Sequence, residues 1–298
     1  MKKKKGNSVA LMLVVSAPFF CLMGGLYLCF QSTGFSVDKV SSKLGYNEDW
    51  EIPSPSREER DQLIHEILPQ TYYYLGSGGQ CYAFISEDRQ YVLKFFKMQN
   101  LSNSGGMRSF PFNIMDRLRS RSRHDNQLLF ERIFASYRDA YSSLKGETGL
   151  LYVHLNKTTD LKAKVALIGV DGRRHLIDLD ATEFVVQRRA EKIFDRLCAL
   201  KGNEHGEEAK QLIRSFFQLI ASRAQKGFTD PKLSIRNNFG FVGDRAVQFD
   251  CGTLARDSSM KYPYNFRKEI LFVAERFDEW AQSNLPEMSI LIQQEAQA

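Results

Sequence analysis

Histidine and cysteine are both scarce, at five each in 298 residues, and no cluster of the two has zinc-ligand spacing. Cys21 and Cys29 fall in one apolar stretch, whereas Cys81, Cys198 and Cys251 stand alone, so the chain has no disulfide framework. Charge of one sign is also short: the net charge is +6, part of it from Lys2 to Lys5. That balance is no nucleic-acid signature, and no nucleic-acid partner is expected.

Charge is missing altogether from Val9 to Phe30. Such a run, as a helix, is long enough to cross a hydrocarbon core of about 30 Å. Lys2 to Lys5 precede it and only Lys39 and Lys43 follow at short range, which predicts a cytoplasmic N-terminus with the remainder on the opposite side. A cleaved signal peptide shares the basic and apolar segments; the length of the run and the lack of an A-x-A site favour an uncleaved, single-pass anchor. The expected organisation is a basic tail over 1–8, a transmembrane helix over 9–30, a linker over 31–56 containing Pro-Ser-Pro, and a folded domain over 57–298.

Residues 226 to 252 organise the rest. Phe239 to Val242 and Ala246 to Phe249 are rich in β-formers and flank Gly243-Asp244, which predicts a small hairpin with a tight turn. Asp230 precedes it, Asn237 and Asn238 stand at its entry and Asp250 at its exit. Carboxylate and amide oxygens gathered at one end of a hairpin suit Mg²⁺ together with phosphate oxygens.

Upstream, Tyr72 to Leu75, the turn Gly76-Ser77-Gly78-Gly79, and Tyr91-Val92-Leu93-Lys94-Phe95-Phe96 predict strand, glycine turn, strand, turn, strand. Glycines let a backbone approach a phosphate closely, and Lys94 on the third strand supplies a point charge. Residues 98 to 124 are polar and basic and read as an insertion or loop. Leu128, Leu129, Ile133, Phe134, Tyr137 and Tyr141 then recur at helical spacing. Strands are expected at 150–155, 164–170, 175–180 and 182–187, followed by helices at 190–200 and 207–225.

These pieces, in this order, resemble the protein-kinase-like fold family. Asp250-Cys251-Gly252 stands where that family has Asp-Phe-Gly, Asn237 lies thirteen residues before Asp250 as in the family, and Val92-Leu93-Lys94-Phe95 is similar to V-A-I-K. The resemblance implies an α+β, bilobal domain with an N-lobe over about 57–187 and a C-lobe over about 188–298. It implies ATP and Mg²⁺ as cofactors, Asn237 and Asp250 as metal ligands, and Gly76, Ser77, Gly78, Gly79 and Lys94 around the phosphates. Asp230 would orient an acceptor hydroxyl, and Glu131 is the available partner for Lys94, a solvent-facing place on its helix being the alternative.

The chain departs from the family at several places. Six residues rather than four separate Asp230 from Asn237, Phe228 holds the usual histidine position, and Cys81 stands where a third glycine would fall. Only 48 residues follow Asp250, with one main helix expected around 266–280 and no A-P-E turn, so the C-lobe is abbreviated. Two functions stay open: a membrane-anchored phosphotransferase acting on an unknown protein or small-molecule hydroxyl, and a catalytically silent kinase-like module tethered to a membrane.

Overall fold

The computed structural model describes residues 34–98, 113–201 and 206–297, with side chains described from 127 onward in the helix that begins at 113. The apolar run 9–30 lies outside these residues. Among the described residues no helix is long and apolar enough to cross a membrane.

The N-terminal half is built on a seven-stranded sheet in the order β4-β7-β3-β2-β1-β5-β6. Its strands are β1 (Thr71–Ser77), β2 (Cys81–Ser86), β3 (Tyr91–Phe96), β4 (Leu150–His154), β5 (Lys164–Ile168), β6 (Arg174–Asp178) and β7 (Phe184–Arg188). Neighbours are antiparallel except β1 and β5, which run parallel. β3 is central and buried along its length except at Lys94. A charged residue interrupting an otherwise buried strand needs a partner, and this strand's lysine has one, described below.

One face of the sheet packs Tyr72, Phe84, Leu93, Leu167 and Phe184 into an aromatic-rich core. The other packs on helix Asn113–Ser143 through Phe130, Phe134, Tyr137 and Tyr141. Burying each such side chain contributes on the order of 1.5–3 kcal/mol. This helix begins inside the stretch expected as a loop. Its sequence from 113 to 143 contains neither glycine nor proline, and its arginines, leucines and methionine are good helix formers.

The segment 34–56, expected as a spacer, lies against the domain instead. Phe35 sits edge-on to Phe84 at 4.9 Å and Trp50 edge-on to Phe134 at 5.0 Å, Val40 is buried, and Asn47 and Asn156 exchange hydrogen bonds at 3.0 and 2.9 Å. Single apolar anchors spaced along a polar stretch do not show in its average composition, yet each finds a site in the two cores.

The C-terminal half surrounds a second core. Helix Ile193–Ala199, helix Gly206–Gln225 and helix Pro263–Asn284 pack Phe216, Ile220, Val273 and Phe277 together with Phe239 of the hairpin. Beside the hairpin lies β8 (Glu191–Lys192), and the short strands β9 (Phe228–Thr229) and β12 (Ala255–Arg256) pair antiparallel on either side of it in sequence. The hairpin itself is β10 (Phe239–Val242) and β11 (Arg245–Gln248), joined by Gly243 at φ +60°, with β8 against β10. Gly240 is required here: a Cβ would lie 2.3 Å from the Glu191 carbonyl oxygen. The final helix, Ser289–Gln297, is fastened by a two-point contact from Arg214 to Glu295 at 2.8 and 2.9 Å. The architecture is mixed α+β, with sheet first and helices after.

Candidate functional site

The glycine turn follows directly from the pairing of β1 with β2. Gly76 and Ser77 still pair with Ala83 and Tyr82 within the sheet, and Gly78 N–H donates to Cys81 O at 3.0 Å to close the turn. A Cβ at Gly76, Gly78 or Gly79 would meet nothing within 4 Å. Their side of the turn is open rather than packed, as a backbone that receives a ligand must be.

Below the turn lies a cavity of about 720 Å³, whose lining includes Gly79, Lys94, Gln187, Lys192, Asn237 and Asp250. The volume is within the usual range for small-molecule sites. The sheet supplies Lys94, opposite Ala83 and Val185 in register. The base of the hairpin supplies the oxygens: Phe249 and Asp250 N–H both donate to Asn238 O, at 2.8 and 3.3 Å, which holds the hairpin's exit beside its entry. Arg188 and Arg189 add positive charge to the wall.

Lys94 Nζ donates to Phe249 O at 2.5 Å and lies 5.6 Å from the centre of the Phe249 ring. It therefore reaches the residue before Asp250, across the cavity from its own strand. Glu131 does not meet it; Glu131 Oε1 accepts from Gln127 at 3.1 Å on an exposed part of the helix. The helix presents Tyr137 to the cavity instead.

Asp250 accepts from Gly252 N–H at 3.4 Å, which orients its carboxylate, and both it and Asn237 face the cavity. Beside this turn, Gln80 Oε1 is buried without a hydrogen-bond partner, while Gln80 Nε2 donates to Gly252 O at 3.4 Å. A carboxylate, a carboxamide and an orphaned amide oxygen are hard donors of the kind Mg²⁺ accepts when phosphate completes its shell. Among the described residues no group of three or more His, Cys, Asp and Glu could hold a metal without such help. The donor set fits a cation that arrives with phosphates.

Asp230 is placed differently. It is 5% exposed and does not belong to the cavity wall. Oδ1 accepts from Lys232 N–H at 3.0 Å and Thr253 Oγ1 at 2.7 Å, and Oδ2 from Asn238 Nδ2 at 3.3 Å and Gln248 Nε2 at 2.7 Å. Two donors on each oxygen fill the sites a carboxylate offers. Behind Gln248 the chain of contacts continues: Arg223 Nη1 donates to Gln248 Oε1 at 2.6 Å, and Arg223 Nη2 to Glu269 Oε1 at 2.8 Å. Arg223 has only donors and Asp230 only acceptors, so the Gln248 amide can point one way.

Two thiols border the site and are buried. Burial pushes the Cys81 thiol up to about 12 and raises that of Cys251 further. Both are packing groups here, not nucleophiles.

The structure brings Lys94, Gly78, Gly79, Asn237 and Asp250 to one cavity, with Gly76 and Ser77 on the strand that leads to it. Gln80 and Tyr137 also line it, and Gln80 directly follows the glycine turn, a signal visible in the sequence.

No family model and no curated protein matches this chain. Among solved structures, the bifunctional kinase-methyltransferase WbdD is similar over 73% of this chain and 43% of its own, at 13% identity and a TM-score of 0.38. Its co-crystal structure with a kinase inhibitor gives 75%, 45%, 14% and 0.37. Rv3197 from Mycobacterium tuberculosis, in complex with erythromycin, is similar over 96% of this chain and 75% of its own, at 13% identity and a TM-score of 0.30. The chain thus spans less than half the length of WbdD. These likenesses are low, and the reading below rests on the chain's own geometry.

Proposed function

We propose that this is a kinase-like protein that binds ATP with Mg²⁺ between its sheet and its hairpin and transfers a phosphoryl group to a hydroxyl acceptor. The observation that carries the reading is the convergence on one cavity of an open glycine turn, Lys94 from the central strand, and Asn237 with Asp250 from the two ends of one hairpin. Phosphoryl transfer asks mainly for positioning and charge stabilisation, and these groups supply both. Gly78 and Gly79 would approach the phosphates, Lys94 would exchange its carbonyl contact for a phosphate oxygen, and Asn237 and Asp250 would hold the cation. Bound Mg²⁺ would neutralise charge developing on the phosphate oxygens.

The test is ligand-induced stabilisation. ATP with Mg²⁺ at about 100 times Kd should add roughly 2.7 kcal/mol to the unfolding free energy. Lys94→Ala and Asp250→Ala should each abolish that gain with little change in the unliganded melting temperature. No gain in the unmodified chain would overturn the reading.

A second reading is favoured by the environment of Asp230. A carboxylate that is buried and already accepts four hydrogen bonds has no free site for an acceptor hydroxyl, as a module that binds nucleotide without transfer would have it. ADP production separates the two: a transferase should release ADP in the unmodified chain when an acceptor is present, and a silent module should bind ATP and release none. Asp230→Asn should keep ATP binding in either case, and loss of ADP production in it would require the carboxylate to leave its four partners and act on the hydroxyl. The membrane is the proposed partner, through residues 9–30, on the support of the uncharged run and the lysines before it.

A further inference from the structure

Three contacts from three directions converge on residues 249–254, the turn that contains Asp250. Lys94 reaches Phe249 O from the sheet, Gln80 reaches Gly252 O from the glycine turn, and Ser136 comes from the long helix. Ser136 is 4% exposed. Its hydroxyl faces the Cys251 carbonyl and, at 2.8 Å, the Leu254 carbonyl, so one buried donor ties the two ends of the turn to the helix.

The next residue, Tyr137, is 1% exposed and packs in one apolar cluster with Cys81, where the glycine turn enters β2. Consecutive side chains on one helix therefore face the site, and the hydrogen-bonded tie to it is made by Ser136. Glu131 cannot act with them, because it lies five residues before Ser136 and so about 140° around the helix axis, and its oxygen is bonded to Gln127.

We propose that Ser136 is the positioning residue through which the helix sets the metal-bearing turn, in place of an ion pair between a helix carboxylate and Lys94. The inference rests on the reading of the cavity as a site for ATP with Mg²⁺. Its physical basis is one hydroxyl proton shared between two carbonyls. A lost Ser136 hydroxyl removes that donor from the Cys251 and Leu254 carbonyls, the first of which keeps the Leu254 N–H at 3.1 Å, and loosens the backbone on either side of Gly252, which disturbs Asp250 and hence the cation. Groups that orient metal ligands typically alter metal affinity about 10–100-fold when removed.

The experiment is calorimetric titration of the full chain with ATP, in the absence of Mg²⁺ and over a series of Mg²⁺ concentrations. Ser136→Ala should raise the Mg²⁺ concentration for half-maximal enhancement of ATP binding at least about tenfold and leave Mg²⁺-free ATP affinity unchanged. Ser136→Thr, which keeps the hydroxyl, should restore the wild-type Mg²⁺ response. Glu131→Gln should change neither quantity. Ser136→Cys, which keeps a small side chain but only a weak donor, decides the matter where Ser136→Ala fails to fold, through a raised Mg²⁺ requirement. A wild-type Mg²⁺ response in folded Ser136→Ala or Ser136→Cys, or an equal defect in Glu131→Gln, overturns the proposal alone. Absence of ATP binding in the unmodified chain overturns the cavity reading and the proposal with it.

Discussion

Gln80 and Gly252 fill one space between them: a Cβ on Gly252 would lie 1.7 Å from Gln80 Oε1. The two residues are 172 positions apart, yet this contact joins the glycine turn to the turn that contains Asp250. A side chain on Gly252 would have to push the Gln80 amide aside.

Gly252→Ala should be met by a swing of the Gln80 amide, the end of a flexible side chain, and so cost only about 0.5–1.5 kcal/mol of stability, the worth of the hydrogen bond given up. In a Gln80→Ala background the same change should cost much less, since its obstacle is gone. Urea unfolding of the four proteins in this cycle measures the difference. Equal costs in the two backgrounds would show that Gln80 does not occupy the space above Gly252.

Arg223 is 1% exposed, and Glu269 is its charged partner. Arg223→Met removes one member of a buried pair and leaves a carboxylate without its cation, which should destabilise by about 3–5 kcal/mol. Arg223→Met combined with Glu269→Leu should be less destabilising than Arg223→Met alone. An additive result in urea unfolding would deny the pair any coupling.

His154 gives stability a pH dependence of definite sign. Burial lowers its pKa below the ordinary 6.5, and the ring sits 2.9 Å from the Thr182 carbonyl and 3.1 Å from the Thr158 hydroxyl. As pH falls through about 6.5 the unfolded chain takes up a proton that the folded chain refuses, so stability declines from there downward. His154→Gln should lose less melting temperature between pH 7 and pH 5.5 than the unmodified chain. Parallel curves for the two proteins would contradict the assignment.

The uncharged run from Val9 to Phe30 carries a prediction of its own. The full chain should stay with membranes through carbonate extraction, whereas a chain starting after residue 30 should appear in the supernatant. Release of the full chain would remove the anchor.

The strands and the hairpin were legible because their signals are local. Period-two and continuous apolar runs located β1, β2, β3 and β7, and Gly243-Asp244 located the hairpin turn. Lys94, Asn237 and Asp250 were legible as a set because their order and spacing are linear features of the chain. What was not legible is set by contacts far apart in sequence. That Asp230 lies behind the wall rather than on it depends on Gln248, Thr253 and Asn238 surrounding it, and no spacing rule states which carboxylate is enclosed. The packing of 34–56 on the sheet was missed because Phe35, Val40 and Trp50 are isolated apolar residues in a polar stretch.

The most direct test of the central claim is a crystal structure of the chain with Mg²⁺ and a non-hydrolysable ATP analogue. The account predicts the triphosphate between Gly78-Gly79 and Lys94, a cation bound by Asn237 and Asp250, and Lys94 Nζ moved from Phe249 O to a phosphate oxygen. A nucleotide seated elsewhere, or a cation held without Asn237 and Asp250, would contradict it.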